Sequence, residues 1–174
     1  MHEPAAAMGD DEAELLALLS ELRAQAGDRE GRTAALRARL RAEAPERIAA
    51  YDAALETLLE RADVWPLHGA YLLAHGARDA ASFRAFRAWV VSLGGAVFEA
   101  ALSDPDVLAD ALAQETPAAP ELLGAFREAY RGRTGQALAE PTLDLFAEPR
   151  GEPILDSELP VRFPRLAAAT RAAR

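Results

Sequence analysis

Apolar residues recur every three or four positions along most of this chain, the spacing that lines one face of an α-helix. Leu15, Leu18, Leu19 and Leu22 mark a first helix over 12–26, with Gly27 where a left-handed glycine ends a helix. Leu36 and Leu40 mark a second over 29–44, bounded by Pro45. A third, over 45–63, carries Ile48, Tyr51, Leu55, Leu58, Leu59 and Ala62 on one stripe and Asp52, Glu56 and Glu60 on another. Three carboxylates at i, i+4 and i+8 stand about 6 Å apart along a straight helix, so they read as a solvated stripe rather than a converging cation site.

The apolar run WPLHGAYLLAHG, residues 65–76, opens with a proline suited to a first helical turn and stops at Gly76. Residues 80–93 place Phe83, Phe86, Trp89, Val90 and Leu93 on one face, with Asp79 or Ser82 as cap. Gly94 and Gly95 interrupt, 96–102 resumes with Val97, Phe98 and Leu102, and Asp104-Pro105 starts a helix over 105–113. A last long helix over 121–131 turns Leu122, Leu123, Phe126 and Tyr130 inward. Beyond Gly132, Pro141, Pro149, Pro153, Pro160 and Pro164 recur too often for long helices. Leu143, Leu145, Phe146, Ile154, Leu155, Leu159 and Phe163 are nevertheless too apolar for a free tail. No period-two pattern argues for strands. The expected fold is all-α, a single helical-bundle domain of about seven helices. Residues 1–11 are expected to be a flexible N-terminus and 12–136 the helical domain. Residues 137–174 are expected to wrap irregularly across the bundle and end in a short alanine-rich helix from Arg165.

The 174 residues suffice for one core without disulfides or metal. With no cysteine, disulfides, thiolate metal sites and cysteine nucleophiles are excluded. There is no lysine and no asparagine, so all 19 basic residues are arginine, and 42 residues are alanine, a bias expected of a GC-rich genome. Net charge is −9, unfavourable for binding a polyanion. The charge is uneven: residues 28–47 carry six arginines against four acids, whereas 48–126 carry eleven acids against four arginines. Arg32, Arg37, Arg39 and Arg41 read either as an anion-facing patch or as a solvated face paired with Glu30, Glu43 and neighbouring acids. The first residues lack the basic and apolar regions of a secretory signal, and apolar stretches fall short of a membrane span, so a cytoplasmic protein is expected.

The most distinctive text is residues 65–110: Phe83, Phe86-Arg87-Ala88-Trp89, Ser92 and Gly94, Val97-Phe98-Glu99-Ala100, and Asp104-Pro105-Asp106. It resembles an uncharacterised bacterial domain-of-unknown-function family, some of whose members stand beside Trp-Gly-Arg domains. Tyr130 with Thr134-Gly135, and Phe163-Pro164-Arg165-Leu166, extend the likeness over about residues 45–170. The chain departs from that pattern where His68 replaces a tryptophan, where Asp79 alone remains of a pair of acids, and where Gly95 replaces an arginine. The resemblance implies a fold; function has to be argued from a site.

The polar residues set in apolar text are His68, Tyr71, His75, Asp79, Arg84, Arg87 and Glu99, the candidate ligand- or partner-binding group. His68 and His75 are seven residues apart, about 10 Å along a helix axis, too far to chelate one zinc. No metal and no cofactor are expected. Arg87, between Phe86 and Trp89, should be buried and therefore paired, with Asp79, Glu99 and Asp106 the nearest acids in sequence. Such pairing would be structural; an open pocket there would make Arg87 a holder of anions or partner carboxylates. Trp65, Phe83, Phe86, Trp89 and Phe98 read as core anchors and Asp104 as a cap. No nucleophile elbow, phosphate loop, dinucleotide fingerprint or zinc-helix motif is present, so no catalytic residue is assigned. The expectation is a non-catalytic module that binds a protein partner, monomeric, with no nucleic-acid or membrane role. The alternative is a small-ligand sensor or enzyme with a pocket near His68, His75, Asp79 and Arg87.

Overall fold

A computed structural model describes residues 8–76, 79–141 and 148–172. Among them the chain forms α-helices α1 (Asp10–Gln25), α2 (Arg29–Ala42), α3 (Pro45–Arg61), α4 (Trp65–His75), α5 (Ala80–Ser92), α6 (Gly95–Ser103), α7 (Ala109–Leu112), α8 (Pro120–Thr134), α9 (Leu159–Arg162) and α10 (Pro164–Ala172). Two single 3₁₀ turns, Pro105–Leu108 and Asp156–Glu158, precede α7 and α9. No strand occurs among the described residues, where only an isolated bridge joins Val64 and Arg150. The fold is all-α. The excess over about seven helices comes from one-turn pieces such as α7 and α9, which proline-rich text permits only in short lengths.

Helix ends follow local chemistry. Asp10, Asp11 and Glu12 crowd the first turn of α1, where negative charge meets the positive end of the helix dipole. The Asp79 carboxylate accepts from the Ser82 amide at 2.8 Å and caps α5. Asp104 does the same for the amide of Asp106. One expected stop is different: α1 ends in extended backbone at Ala26, so Gly27 is not its left-handed cap. Met8 packs on the core and α1 starts at Asp10, inside the span expected to be flexible; residues 1–7 lie outside the described residues.

α3 packs between α1 and α8, α5 leans on α1, α3 and α8, and α2 covers α8. Leu15, Leu40, Ile48, Leu55, Leu58, Tyr71, Val90, Phe98 and Phe126 are fully buried at their convergence. Gly94 makes one crossing possible. At φ +91° it sits against Ser20 of α1, and a Cβ there would run into the Ser20 side chain. The adjacent Gly95 amide donates to Ser20 Oγ at 3.2 Å.

The C-terminal arm closes the far side. The Trp65 amide donates to the Arg150 carbonyl at 3.0 Å, and the Arg150 amide to that of Asp63 at 2.9 Å. Arg150 Nη2 donates to the carbonyls of Glu60 and Arg61 at the end of α3. Ile154, Leu159, Phe163 and Leu166 are buried. Leu159 needs Gly69 beneath it, since a Cβ on Gly69 would lie 2.6 Å from Leu159 Cδ2. Leu155, expected to pack, is instead 66 % exposed; Leu143, Leu145 and Phe146 lie outside the described residues. Asp106 ties the arm down by accepting the Arg165 and Leu166 amides at 3.2 and 2.8 Å.

Candidate functional site

The carboxylate stripe of α3 is solvated at Glu60, as its spacing suggests, but not at Asp52. Asp52 is only 7 % exposed, because α8 and α5 bring arginines over it. Arg127 of α8 donates from Nε and Nη2 to the two Asp52 oxygens at 3.2 and 3.1 Å, and from Nη1 to Glu140 at 2.6 Å. Arg84 Nη2 of α5 reaches both Glu56 oxygens at 2.7 and 2.8 Å, and Arg127 Nη2 approaches the same carboxylate at 3.4 Å. Charged groups thus bolt α3 to α5 and α8 along the rim of an open groove of about 980 Å3.

Six carboxylates line this groove: Asp52, Glu56, Glu60, Asp63, Asp79 and Glu140. Three guanidiniums, Arg84, Arg87 and Arg127, face them; Leu59, His68, Phe83, Leu138, Pro141 and Pro149 add apolar and aromatic wall. Burial, with Glu56 and Glu140 nearby, pushes the Asp52 carboxyl above the usual aspartate range despite Arg127. Burial also opposes the Arg127 charge, yet Asp52, Glu140 and Glu56 together hold its pKa above the ordinary arginine value. The Arg127 direction reflects the carboxylates gathered around it.

Arg87 does not pair with Asp79, Glu99 or Asp106. The geometry delivers Asp63, from the turn after α3, at 3.2 Å, and Arg87 Nη1 also donates to the Leu59 carbonyl at 3.0 Å. Its side chain is 13 % exposed, its guanidinium lies 4.7 Å from the centre of the Phe83 ring, and its Nε is buried with no hydrogen-bond partner. Burial, before any of its neighbours, lowers its pKa. Of the rejected acids, Asp106 caps α10, Asp79 caps α5, and Glu99 is an exposed partner of Arg61 at 3.1 Å.

Of the seven residues singled out by sequence, His68, Asp79, Arg84 and Arg87 meet in the groove, whereas Tyr71, His75 and Glu99 stand elsewhere. Tyr71 is fully buried and its hydroxyl donates to Asp79 at 3.3 Å. His75 turns the other way: its Nε2–H donates to the Pro117 carbonyl at 3.1 Å, and its ring lies 5.0 Å from Tyr71. The aromatic residues form a ladder, His68 edge-on to Phe83 at 5.0 Å and Trp65 at 5.3 Å, then Tyr71, Phe86 and Trp89. Trp89 and Phe98 are buried in the core, whereas Trp65 is only partly buried. Among the described residues, no three histidines or carboxylates converge to hold a metal ion, and no helix is long and apolar enough to cross a membrane.

Asp52, Glu56, Glu60, Asp63, Arg127 and Glu140 line the groove but are not among the residues singled out by sequence. The signal was the repeat of acids on α3, which needed the opposing arginines of α5 and α8 for its meaning. The arginine-rich α2 is largely consumed by pairing. Arg32 reaches Glu115, Arg39 reaches Glu43 at 2.9 Å, and Arg37 lies 3.6 Å from Glu128. Glu115 is a second polar junction, accepting from Arg32, from Arg23 at 3.0 Å and from the Trp89 indole at 3.0 Å.

The molecule is therefore an all-α domain whose acidic body carries a charged groove. It belongs to the family described as "Protein of unknown function (DUF4240)", whose model matches residues 11–132. The match begins well before the likeness seen in the sequence and ends before the C-terminal arm. No curated protein and no solved structure matches the chain.

Proposed function

We propose that this domain is a non-catalytic binding module of the bacterial cytoplasm that receives a partner protein in the groove lined by α3, α5, residues 138–141 and Pro149. The observation carrying this reading is the groove itself: its three guanidiniums are held by Asp52, Glu56, Asp63 and Glu140 before anything binds, so a partner meets a largely preorganised surface. The polar groups that could do acid–base work are committed to structure. Asp79 is a cap whose carboxyl is held low by the Ser82 amide, Tyr71 bonds Asp79, and His75 bonds a backbone carbonyl.

The groove can be blocked without disturbing the core. Ala53 and Ala80 are exposed lining residues, so Ala53→Trp and Ala80→Trp add bulk only there. Affinity capture from the source organism, quantified for wild type and both variants, should enrich a partner with wild type that both variants lose at unchanged Tm. Equal capture by all three removes the groove from the reading, and no enriched partner removes the module. A second reading, a small-molecule site, is favoured by His68, Asp79 and Arg87 sharing a wall of a groove of ligand-pocket size. A metabolite that raises Tm in wild type and not in Ala53→Trp would select it.

A further inference from the structure

We infer that the groove's occupant is a basic segment of the partner: a short extended stretch carrying two or more arginine or lysine side chains. This rests on the binding-module reading and adds the chemistry of what is bound. The lining has twice as many carboxylates as guanidiniums, and each guanidinium is already engaged by carboxylate. An anionic ligand would have to prise Glu56 from Arg84 and Arg127, or Asp52 from the two-point grip of Arg127. A cationic side chain displaces nothing. Glu60 is exposed and makes no ion pair among the described residues, and the Glu140 side chain is 87 % exposed although it touches Arg127. Asp63 keeps 30 % of its side chain in solvent beside Arg87. Glu60 and Asp63 come from α3 and the turn after it and Glu140 from the 138–141 segment, so they offer separate sites rather than one.

The dimensions suit a peptide. The α3 wall runs from Ala49 to Glu60, about 16 Å at the helical rise, which an extended segment of roughly five residues would span. Leu138, Pro141 and Pro149, partly exposed in the lining, provide apolar contacts for the side chains that alternate with basic ones. The net charge of −9 steers such a segment toward the domain from a distance.

The test uses the full chain and fluorescence anisotropy of dye-labelled octapeptides in which leucine alternates with arginine, lysine, glutamate or glutamine. Spermidine serves as a competing polycation. Both basic peptides should bind, more weakly as salt rises, and the glutamate and glutamine peptides should not. Glu60→Gln combined with Glu140→Gln should weaken basic-peptide binding by roughly fivefold at unchanged Tm, the scale of two exposed ion pairs. Ala53→Trp should abolish it. The inference is overturned by no binding of either basic peptide, by equal binding of the glutamate or glutamine peptide, by an unaffected double-glutamine variant, or by spermidine binding as tightly as the peptides. If Ala53→Trp removes the native partner while no basic peptide binds, the module stands and the basic occupant falls.

Discussion

Replacing Glu115 with alanine should be among the most destabilising changes to any partly exposed residue of this chain. Glu115 lies in the connection before α8, and among the described residues its carboxylate is the acceptor of the indole N–H of Trp89, itself 1 % exposed. Stranding that buried donor costs about 1–3 kcal/mol. The same carboxylate holds Arg23 of α1 and Arg32 of α2, whose side chains are 25 % and 13 % exposed and can recover part of their hydration, so each adds at most about 0.2–1 kcal/mol. Glu115→Ala should therefore lose about 2–4 kcal/mol, whereas Glu115→Gln keeps an acceptor for Trp89 and should lose about 1 kcal/mol. Urea unfolding at constant m-value, followed by tryptophan fluorescence, measures both. A loss under about 0.5 kcal/mol for the alanine variant would refute the idea that this carboxylate joins α1, α2 and α5.

Acid should separate two carboxylates. Burial raises the Glu115 carboxyl, but hydrogen bonds from Arg23, Trp89 and Arg32 outweigh it and leave the pKa below the usual 4.5. Its contribution is present above that value and lost as pH falls through the lower folded pKa, so the deficit of Glu115→Gln should shrink in acid. Asp52 has the opposite sign: its raised pKa gives stability that is full below the ordinary aspartate value of 3.8 and lost as pH rises through the folded pKa. The deficit of Asp52→Asn should accordingly grow in acid, and parallel pH profiles for the two variants would show the assignment to be wrong. Gly94→Ala forces a side chain onto Ser20 at φ +91° and should cost about 2–4 kcal/mol by urea unfolding, with near-neutrality ruling out the close crossing. Asp106→Ala removes the acceptor of the Arg165 and Leu166 amides and should cost about 1–2 kcal/mol, with faster proteolysis confined to the last helices. Unchanged cleavage there would mean the arm is held by its apolar contacts alone.

Helix spacing, prolines and glycines announced α1 to α6 and α8 to within a few residues, because these signals act through the local backbone, which the sequence alone controls. The caps at Asp79 and Asp104 were legible for the same reason, each bonding an amide two or three residues away. His68, Asp79, Arg84 and Arg87 stood out as polar residues in apolar text, a pattern any helix must reconcile with burial. What no local rule contains is which distant charge meets which. Arg87 found Asp63 rather than the acids nearer in apolar text, Asp52 was buried by an arginine 75 residues later, and His75 turned from the groove toward Pro117. Coulomb attraction acts over a few ångströms of space whatever the separation along the chain. Only helix packing sets those distances, and it turned a stripe that reads as solvated into the wall of a groove.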